Sequence, residues 1–120
     1  MEKLSPQEEE AMKAIWKTGE GSIKAFLDHM ESPAPPYTTL ASTVKNLEKK
    51  QFVTARLMGK VFFYKAAMTE EEYKNRFMTG FVKDYFANSY KEMVNFFIEK
   101  KKLSSAELKE IIHLIEKGRS

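Results

Sequence analysis

Between residues 37 and 50 the chain carries Thr38, Thr39, Ser42, Lys45, Asn46 and Lys49 in a segment that reads as a helix. At about 100° per residue, Leu40, Val44 and Leu47 fall within about 60° of one another and form an inward face. Thr38, Ser42, Lys45 and Lys49 then point almost directly outward, with Thr39 and Asn46 flanking them. This outer face is short, polar and positive, with no carboxylate at its centre. Such groups recognise nucleic acid rather than break bonds. Hydroxyls donate to phosphates or touch base edges, Asn pairs with adenine through two hydrogen bonds, and Lys reaches guanine or neutralises phosphate. The N-terminus of the helix adds backbone N–H groups and partial positive charge. Arg56 and Lys60 flank a hairpin tip just beyond it, where they would meet a neighbouring phosphate backbone. A lone polar helix face is commonly just a solvated one, so the surrounding elements decide.

Other residues that could do chemistry do not assemble a site. His29 and His113 are the only histidines and fall in different parts of the chain, which speaks against a metal centre. Glu8–Glu10 and Glu70–Glu72 occupy first turns of helices, where acids complement the helix dipole. Lys100–Lys102 stands at a helix end, where cations do the same. No phosphate loop, zinc-protease motif or nucleophile elbow occurs, so neither catalysis nor a cofactor is expected. With no cysteine among 120 residues, disulfides and thiolate chemistry are excluded.

The elements that would hold the reading helix are announced by helix caps. Ser5/Glu8, Thr69/Glu72, Ser89/Glu92 and Ser104/Glu107 each pair a hydroxyl with a Glu three residues on, the capping-box signature. Pro6 suits the first helical position after Ser5. A first helix is expected over residues 6–17, with Ala11, Met12, Ile15 and Trp16 on one face, and Trp16 reads as core. A second starts after Ser22 and carries Ile23, Phe26, Leu27 and Met30. Prolines 33, 35 and 36 break the chain before the reading helix. Two β-rich runs, 52–57 and 61–65, then flank Gly59 and read as a hairpin. Helix, helix, helix, hairpin is the order of a winged helix-turn-helix.

From Glu70 onward three further helices are expected. The first places Tyr73, Phe77, Phe81 and Tyr85 at intervals of four, widened by Met78, Val82 and Phe86. The second has an equally wide arc that includes Met93, Val94, Phe96 and Phe97. The last is narrowly amphipathic, with Leu108, Ile111, Ile112 and Ile115. So small a unit cannot cover two wide apolar arcs alone, and self-association is the simplest remedy. The expected architecture is therefore mainly α with a small β-hairpin. Residues 1–68 form a winged-helix DNA-binding domain and residues 69–120 a helical dimerisation domain. Dimer contacts are expected from Tyr73, Phe77, Phe81, Tyr85, Val94, Phe97, Ile111, Ile112 and Ile115.

Composition agrees with a globular chain: 42% of residues are hydrophobic, 31% are charged, and the net charge is only +3. So mild an excess says little about partners until its placement is known. The apolar runs are too short to span a bilayer, and the N-terminus runs straight into acidic residues unlike a signal peptide. A cytoplasmic protein without membrane insertion is expected.

The ordered set of local signatures resembles the BlaI/MecI/CopY family of bacterial repressors. It comprises Leu4 to Trp16, the Tyr37-Thr38-Thr39-Leu40 start and Leu47-Glu48-Lys49-Lys50 end of the third helix, the hairpin from Lys60 to Tyr64, and Leu103 to Leu108. The resemblance implies a dimer on a palindromic operator, often of TACA/TGTA type, upstream of β-lactamase or related resistance genes. It implies base and phosphate contacts from Thr38, Thr39, Ser42, Lys45 and Asn46, with Lys60 at the wing. It further implies release by a sensor-linked protease that cuts the dimerisation part on a β-lactam signal. Asn95-Phe96 is the nearest match to the family's cleavage step, with Phe96-Phe97 the alternative bond. Two departures stand out. Gln51 replaces the family's usual Gly after the Lys pair, where a left-handed backbone would cost more, so a slightly different turn is expected. The copper-responsive branch carries a cysteine cluster that this chain lacks.

Three readings follow: a dimeric repressor, a winged-helix module that binds protein, and a repressor switched directly by a small ligand. The first makes the fullest use of the polar helix face and the basic hairpin together.

Overall fold

In the computed structural model the backbone is described for residues 3–117, and side chains over the same span except residues 112 and 114–117. Six helices and one hairpin follow in the order α1 (Pro6–Thr18), α2 (Ile23–Asp28), α3 (Tyr37–Lys49), β1 (Val53–Met58), β2 (Val61–Ala66), α4 (Glu70–Phe86), α5 (Tyr90–Glu99) and α6 (Ser105–Lys117). The architecture is mainly helical with a two-stranded antiparallel hairpin, as expected. The chain divides into two compact units, Met1–Arg76 and Phe77–Ser120, so the division falls inside α4. Among the described residues no helix is long and apolar enough to cross a membrane.

The first unit is built on α1. The Ser5 hydroxyl accepts from the Glu8 N–H at 3.1 Å, and Glu8 Oε1 accepts from the Ser5 N–H at 2.8 Å, closing the capping box. Ala11, Met12, Ala14 and Ile15 then face inward, and Gly19, at φ 83°, ends the helix. Ser22 caps α2 by accepting from the Ala25 N–H. Met12, Ile15 and Phe26 meet Leu40, Val44 and Leu47 of α3 and Phe52, Val53 and Tyr64 of the hairpin in one continuous core. Trp16 lies half-buried at its edge, its indole N–H donating to the Met68 carbonyl at 3.0 Å.

Two junctions aim the hairpin. At the end of α3 the Gln51 N–H donates to the Glu48 carbonyl and the Phe52 N–H to the Leu47 carbonyl. These are the two bonds of a Schellman turn, and the buried pair Leu47 and Phe52 supplies its apolar contact. Gln51 takes φ 68° there, so the turn keeps its left-handed form despite the missing glycine, contrary to the expected change. Gln51 is exposed there, so the left-handed backbone places its side chain in solvent rather than in the core. The second junction was not foreseen. Gly21 exchanges backbone hydrogen bonds with Tyr64, at 3.0 and 2.8 Å, adding a one-residue third strand to the sheet. A Cβ on Gly21 would stand 3.3 Å from both Ala25 Cβ and Phe26 Cε1, so any side chain there would press on α2. The strands pair from Val53↔Ala66 to Met58↔Val61, leaving Gly59 and Lys60 as the turn. Gly59 has φ 64° at the first turn position, where tight hairpins favour glycine.

The second unit is poorly covered by itself. Its aromatic side chains form a chain of ring contacts from Phe77–Phe81 (6.2 Å) through Phe81–Phe86 (5.7 Å) to Phe86–Phe96 (5.7 Å). Yet Val82 is the only side chain in it, among the described residues, that is fully buried. Phe77, Met78, Tyr85, Tyr90, Phe96 and Ile98 are all exposed. The cap at Ser104/Glu107 forms in both directions, at 3.1 Å each, so α6 starts where the sequence placed it.

A buried ion pair ties the start of α1 to the end of α3. Glu8 Oε1 accepts from Lys50 Nζ at 2.8 Å while its carboxylate is almost wholly buried. Burial alone would raise the Glu8 pKa, but hydrogen bonds from Lys50 and Ser5 and the Lys50 charge outweigh it, leaving the carboxyl below its ordinary value of 4.5. A pKa depressed in the folded state stabilises the fold above the unfolded value, and that stability is lost as pH falls through the folded value. Glu8→Gln should therefore cost about 1–2 kcal/mol at neutral pH. Denaturant unfolding at fixed protein concentration should show that difference shrinking below pH 4.5. A difference independent of pH would mean that the carboxylate charge contributes nothing.

Candidate nucleic-acid interface

The polar face expected on α3 is exposed, and the roll of the helix is set by packing. Leu40 is 2% exposed and Val44 and Leu47 are fully buried against α1, α2 and the hairpin, so the opposite side of the helix must face water. Thr38, Ser42, Lys45, Asn46 and Lys49 are exposed there together, and Thr39 is half-exposed at the margin. Thr43 also turns inward, its hydroxyl donating to the Thr39 carbonyl at 2.9 Å, a burial not read from the sequence. A Thr four residues after its acceptor can satisfy its hydroxyl within the helix, which is what lets a polar residue enter the apolar face. Pro36 precedes α3, and among the described residues no side chain caps it. The N–H groups of the first turn, which no helical carbonyl can reach, remain available to an anion.

The cations around this face divide into two groups. Lys45, Lys49 and Lys60 are exposed, and among the described residues none of them forms an ion pair. Lys50, one residue further, is turned back onto Glu8 and serves the fold. Arg56, expected as a wing contact, is held by Glu20: its Nε donates to Oε2 at 3.0 Å and its Nη2 to Oε1 at 2.7 Å. The guanidinium is still exposed, but its charge is shared with a carboxylate from the α1–α2 connection. Nothing local in the sequence announces that pair, because it joins residues 36 apart. Burial raises the Tyr64 phenol pKa above its usual value, with Glu48 and Tyr37 of α3 adding to the effect.

Of the residues expected in a dimer, Tyr73 belongs to the first unit. Its ring lies 5.5 Å from Trp16 and 6.2 Å edge-on to Phe52, so it is engaged within one chain. Burial, with Glu9 adding to it, raises its phenol pKa. Phe77 and Tyr85 are exposed, while Phe81, Val94, Phe97 and Ile111 are half-buried in the second unit. The side chains of Ile112 and Ile115 lie outside the described residues. Asn95 and Phe96 both face outward on α5. An open groove of about 720 Å³ runs between α1, the proline-rich connection and α3, lined by Lys13, Lys17, His29, Met30, Thr39 and Leu40 among others. Among the described residues no group of three or more His, Cys, Asp or Glu is gathered as a metal site.

Comparison with known proteins places this arrangement. The family model of the penicillinase repressor matches residues 4–117. The methicillin resistance regulatory protein MecI of Staphylococcus aureus (strain N315) is 25% identical over 116 residues, covering 95% of this chain and 94% of that protein. MecI of Mammaliicoccus sciuri is 24% identical over 119 residues with the same coverage. A solved structure of Bordetella bronchiseptica BpsR, whose DNA binding is regulated by 6-hydroxynicotinic acid, matches more loosely, with a TM-score of 0.49 and 14% identity over 95% of this chain and 74% of that one. With its winged reading head, its exposed α3 face and a match over nearly its whole length, the chain belongs to the penicillinase repressor family of DNA-binding transcriptional repressors.

Proposed function

We propose that two copies of this chain bind a palindromic operator, each laying α3 in the major groove of one half-site. The observation that carries this reading is the joint exposure of Thr38, Ser42, Lys45, Asn46 and Lys49 on a helix whose other side is fully buried. A face fixed in roll by a rigid core can present hydroxyl, amide and ammonium groups to base edges with little ordering cost. Thr39 lies at the margin of this face, and Lys60 and the outer part of Arg56 reach the flanking backbone. The second unit supplies the dimer: the exposed Phe77, Tyr85, Phe96 and Ile98 represent apolar area that a second copy would cover.

Release works by cutting the dimer apart. A sensor-linked protease responding to a β-lactam-type signal would cleave α5 near Asn95-Phe96, where both residues face outward. Each half-site would then be held alone, and the effective concentration that favours the second contact would be lost, about a hundredfold in affinity. A direct ligand switch is the second reading, favoured by the groove that Thr39 lines beside the α3 face.

Two experiments test these claims. On genomic fragments selected by the purified protein, Lys45→Ala with Lys49→Ala should weaken binding at least about tenfold and lower the salt slope by about two. Asn46→Ala should alter which bases are preferred, and half-sites should lie about 10 or 20 base pairs apart. Unchanged affinity in the folded double variant would exclude this face. Tyr85→Asp with Ile98→Asp alters side chains already exposed in one chain, so the fold should survive while association fails. Sedimentation at micromolar concentration should show a wild-type dimer and a variant monomer, and a chain ending at Asn95 should lose operator affinity to a similar degree. A wild-type monomer would overturn the dimer, and a truncated chain that binds as tightly as the full one would overturn release by cleavage.

A further inference from the structure

Both ends of α5 hold residues in a backbone shape that their side chains resist. Among the described residues, four that are not glycine take positive φ, and three of these enclose α5. They are Ala87 (49°) and Asn88 (67°) before it and Lys101 (56°) after it. The left-handed conformation pushes the Cβ of an L-residue towards the following carbonyl oxygen; Asn adopts it readily, whereas Ala and Lys do not. All three residues are exposed, so their side chains gain little packing in return. Backbone hydrogen bonds impose the shape. The Lys101 N–H donates to the Ile98 carbonyl at 3.0 Å and the Lys102 N–H to the Phe97 carbonyl at 2.8 Å, a Schellman turn whose left-handed position is ordinarily filled by glycine. At the other end the Asn88 N–H donates to the Val82 carbonyl at 3.1 Å and the Ser89 N–H to the Phe86 carbonyl at 2.8 Å.

The residues between these ends do not favour a helix either. Val94-Asn95-Phe96-Phe97-Ile98 is a run of poor helix formers, and Val, Phe and Ile prefer extended strands. At 10 residues α5 is shorter than a helix that stands alone in water, and no side chain in it is buried. It is held by the Ser89 hydroxyl, which accepts from the Glu92 N–H at 3.1 Å, and by Phe96, whose ring stands edge-on to Phe86 of α4 at 5.7 Å. Lys100 Nζ lies 5.9 Å from the same ring. By contrast α4 is anchored by the buried Val82, and α1 by Ala11, Met12, Ala14 and Ile15. Where local preference opposes the adopted structure and little burial enforces it, a segment opens before its neighbours.

We infer that α5 opens by itself, in an otherwise folded chain, into an extended strand over residues 93–98, and that the releasing protease takes this strand rather than the helix. This deepens the reading of release by cleavage and rests on it. A helix spends its backbone N–H and C=O groups on itself, so an outward-facing Asn95-Phe96 bond offers a protease cleft nothing to pair with until the helix opens. Opening frees Ala87 and Lys101 from their left-handed shape and lets Val94, Phe96 and Ile98 alternate with Asn95 and Phe97 along a strand. Hydrolysis then adds one water across the Asn95-Phe96 amide, leaving a carboxylate on Asn95 and an amine on Phe96. When opening and closing are fast relative to cutting, the rate follows the open population. Ala87 and Lys101 accordingly set how fast the chain is cut without touching the protease.

The test follows native-state amide hydrogen exchange of the full-length protein, together with cutting by thermolysin, which cleaves before large apolar residues. Amides of residues 94–99 should exchange at least about tenfold faster than those around Val82 in α4, and the first cut should fall within residues 93–98. Ala87→Gly with Lys101→Gly relieves both ends without removing packed side chains, and should slow α5 exchange and thermolysin cutting about tenfold. Asn95→Ala puts a better helix former at an exposed position and should slow exchange about twofold. Amides of α5 as well protected as those of α4, or rates in the double variant equal to wild type, would overturn the inference. So would rates that fall as protein concentration rises, because opening would then follow separation of the copies. A chain ending at Asn95 that binds the operator as tightly as the full chain would overturn release by cleavage, and with it the role given to the strand. A silent double variant would overturn the opening alone and leave that reading standing.

Discussion

Burial of Leu40, Val44 and Leu47 is the constraint on which the rest depends. An isolated helix as short as α3 is marginal in water, and tertiary packing supplies most of what holds it. Three large apolar side chains on one side leave a single favourable roll about the helix axis, since any other would expose them at about 1.5–3 kcal/mol each. The outward direction of Thr38, Ser42, Lys45, Asn46 and Lys49 is a consequence of that roll. The proposed reading face is thus specified by residues on the opposite side of the helix. On that reading, substitutions inside the core would act on recognition through orientation as well as through stability.

Around this constraint the first unit uses a few long-range ties to hold helix and hairpin in one frame. Glu8 and Lys50 join the start of α1 to the end of α3, the Schellman turn at Gln51 passes the chain on to β1, and Gly21 receives β2 through Tyr64. Arg56 and Glu20 brace the outer side of the hairpin against the α1–α2 connection. Each of the charged ties also removes a charge from the pool available to a partner. Of the basic residues near the reading face, those left outward are concentrated on α3 and at the hairpin tip, which is where a polyanion would be met.

The elements were legible because their signals are local. Capping boxes at Ser5 and Ser104, prolines before Tyr37 and a change from helical to alternating period at Phe52 mark boundaries within a few residues of where they lie. What escaped the sequence depends on residues far apart in the chain. The roles of Lys50 and Arg56 were set by Glu8 and Glu20, and one lysine in a row of two gives no hint that only it turns inward. Tyr73 fitted the aromatic stripe of α4 by spacing, yet Trp16 and Phe52 take up its ring in the first unit. The bridging role of Gly21 also went unseen, since a glycine between helices ordinarily reads as a turn.

The second unit obeys a different rule. Its rings contact one another along α4 and α5, yet among the described residues only Val82 is fully buried. On the proposed reading, recognition falls to a unit that folds around its own core and association to one whose apolar side chains stay largely exposed. The central claim, that the outward side of α3 meets DNA bases, is open to a direct measurement because the chain has no cysteine. Ser42→Cys supplies a single thiol for a short photo-cross-linker, and Lys74→Cys supplies a control on α4. Cross-links from position 42 should map to major-groove base positions in both half-sites of the selected operator, with none from position 74. Cross-links absent from position 42 in a protein that still binds, or equally strong from position 74, would contradict it.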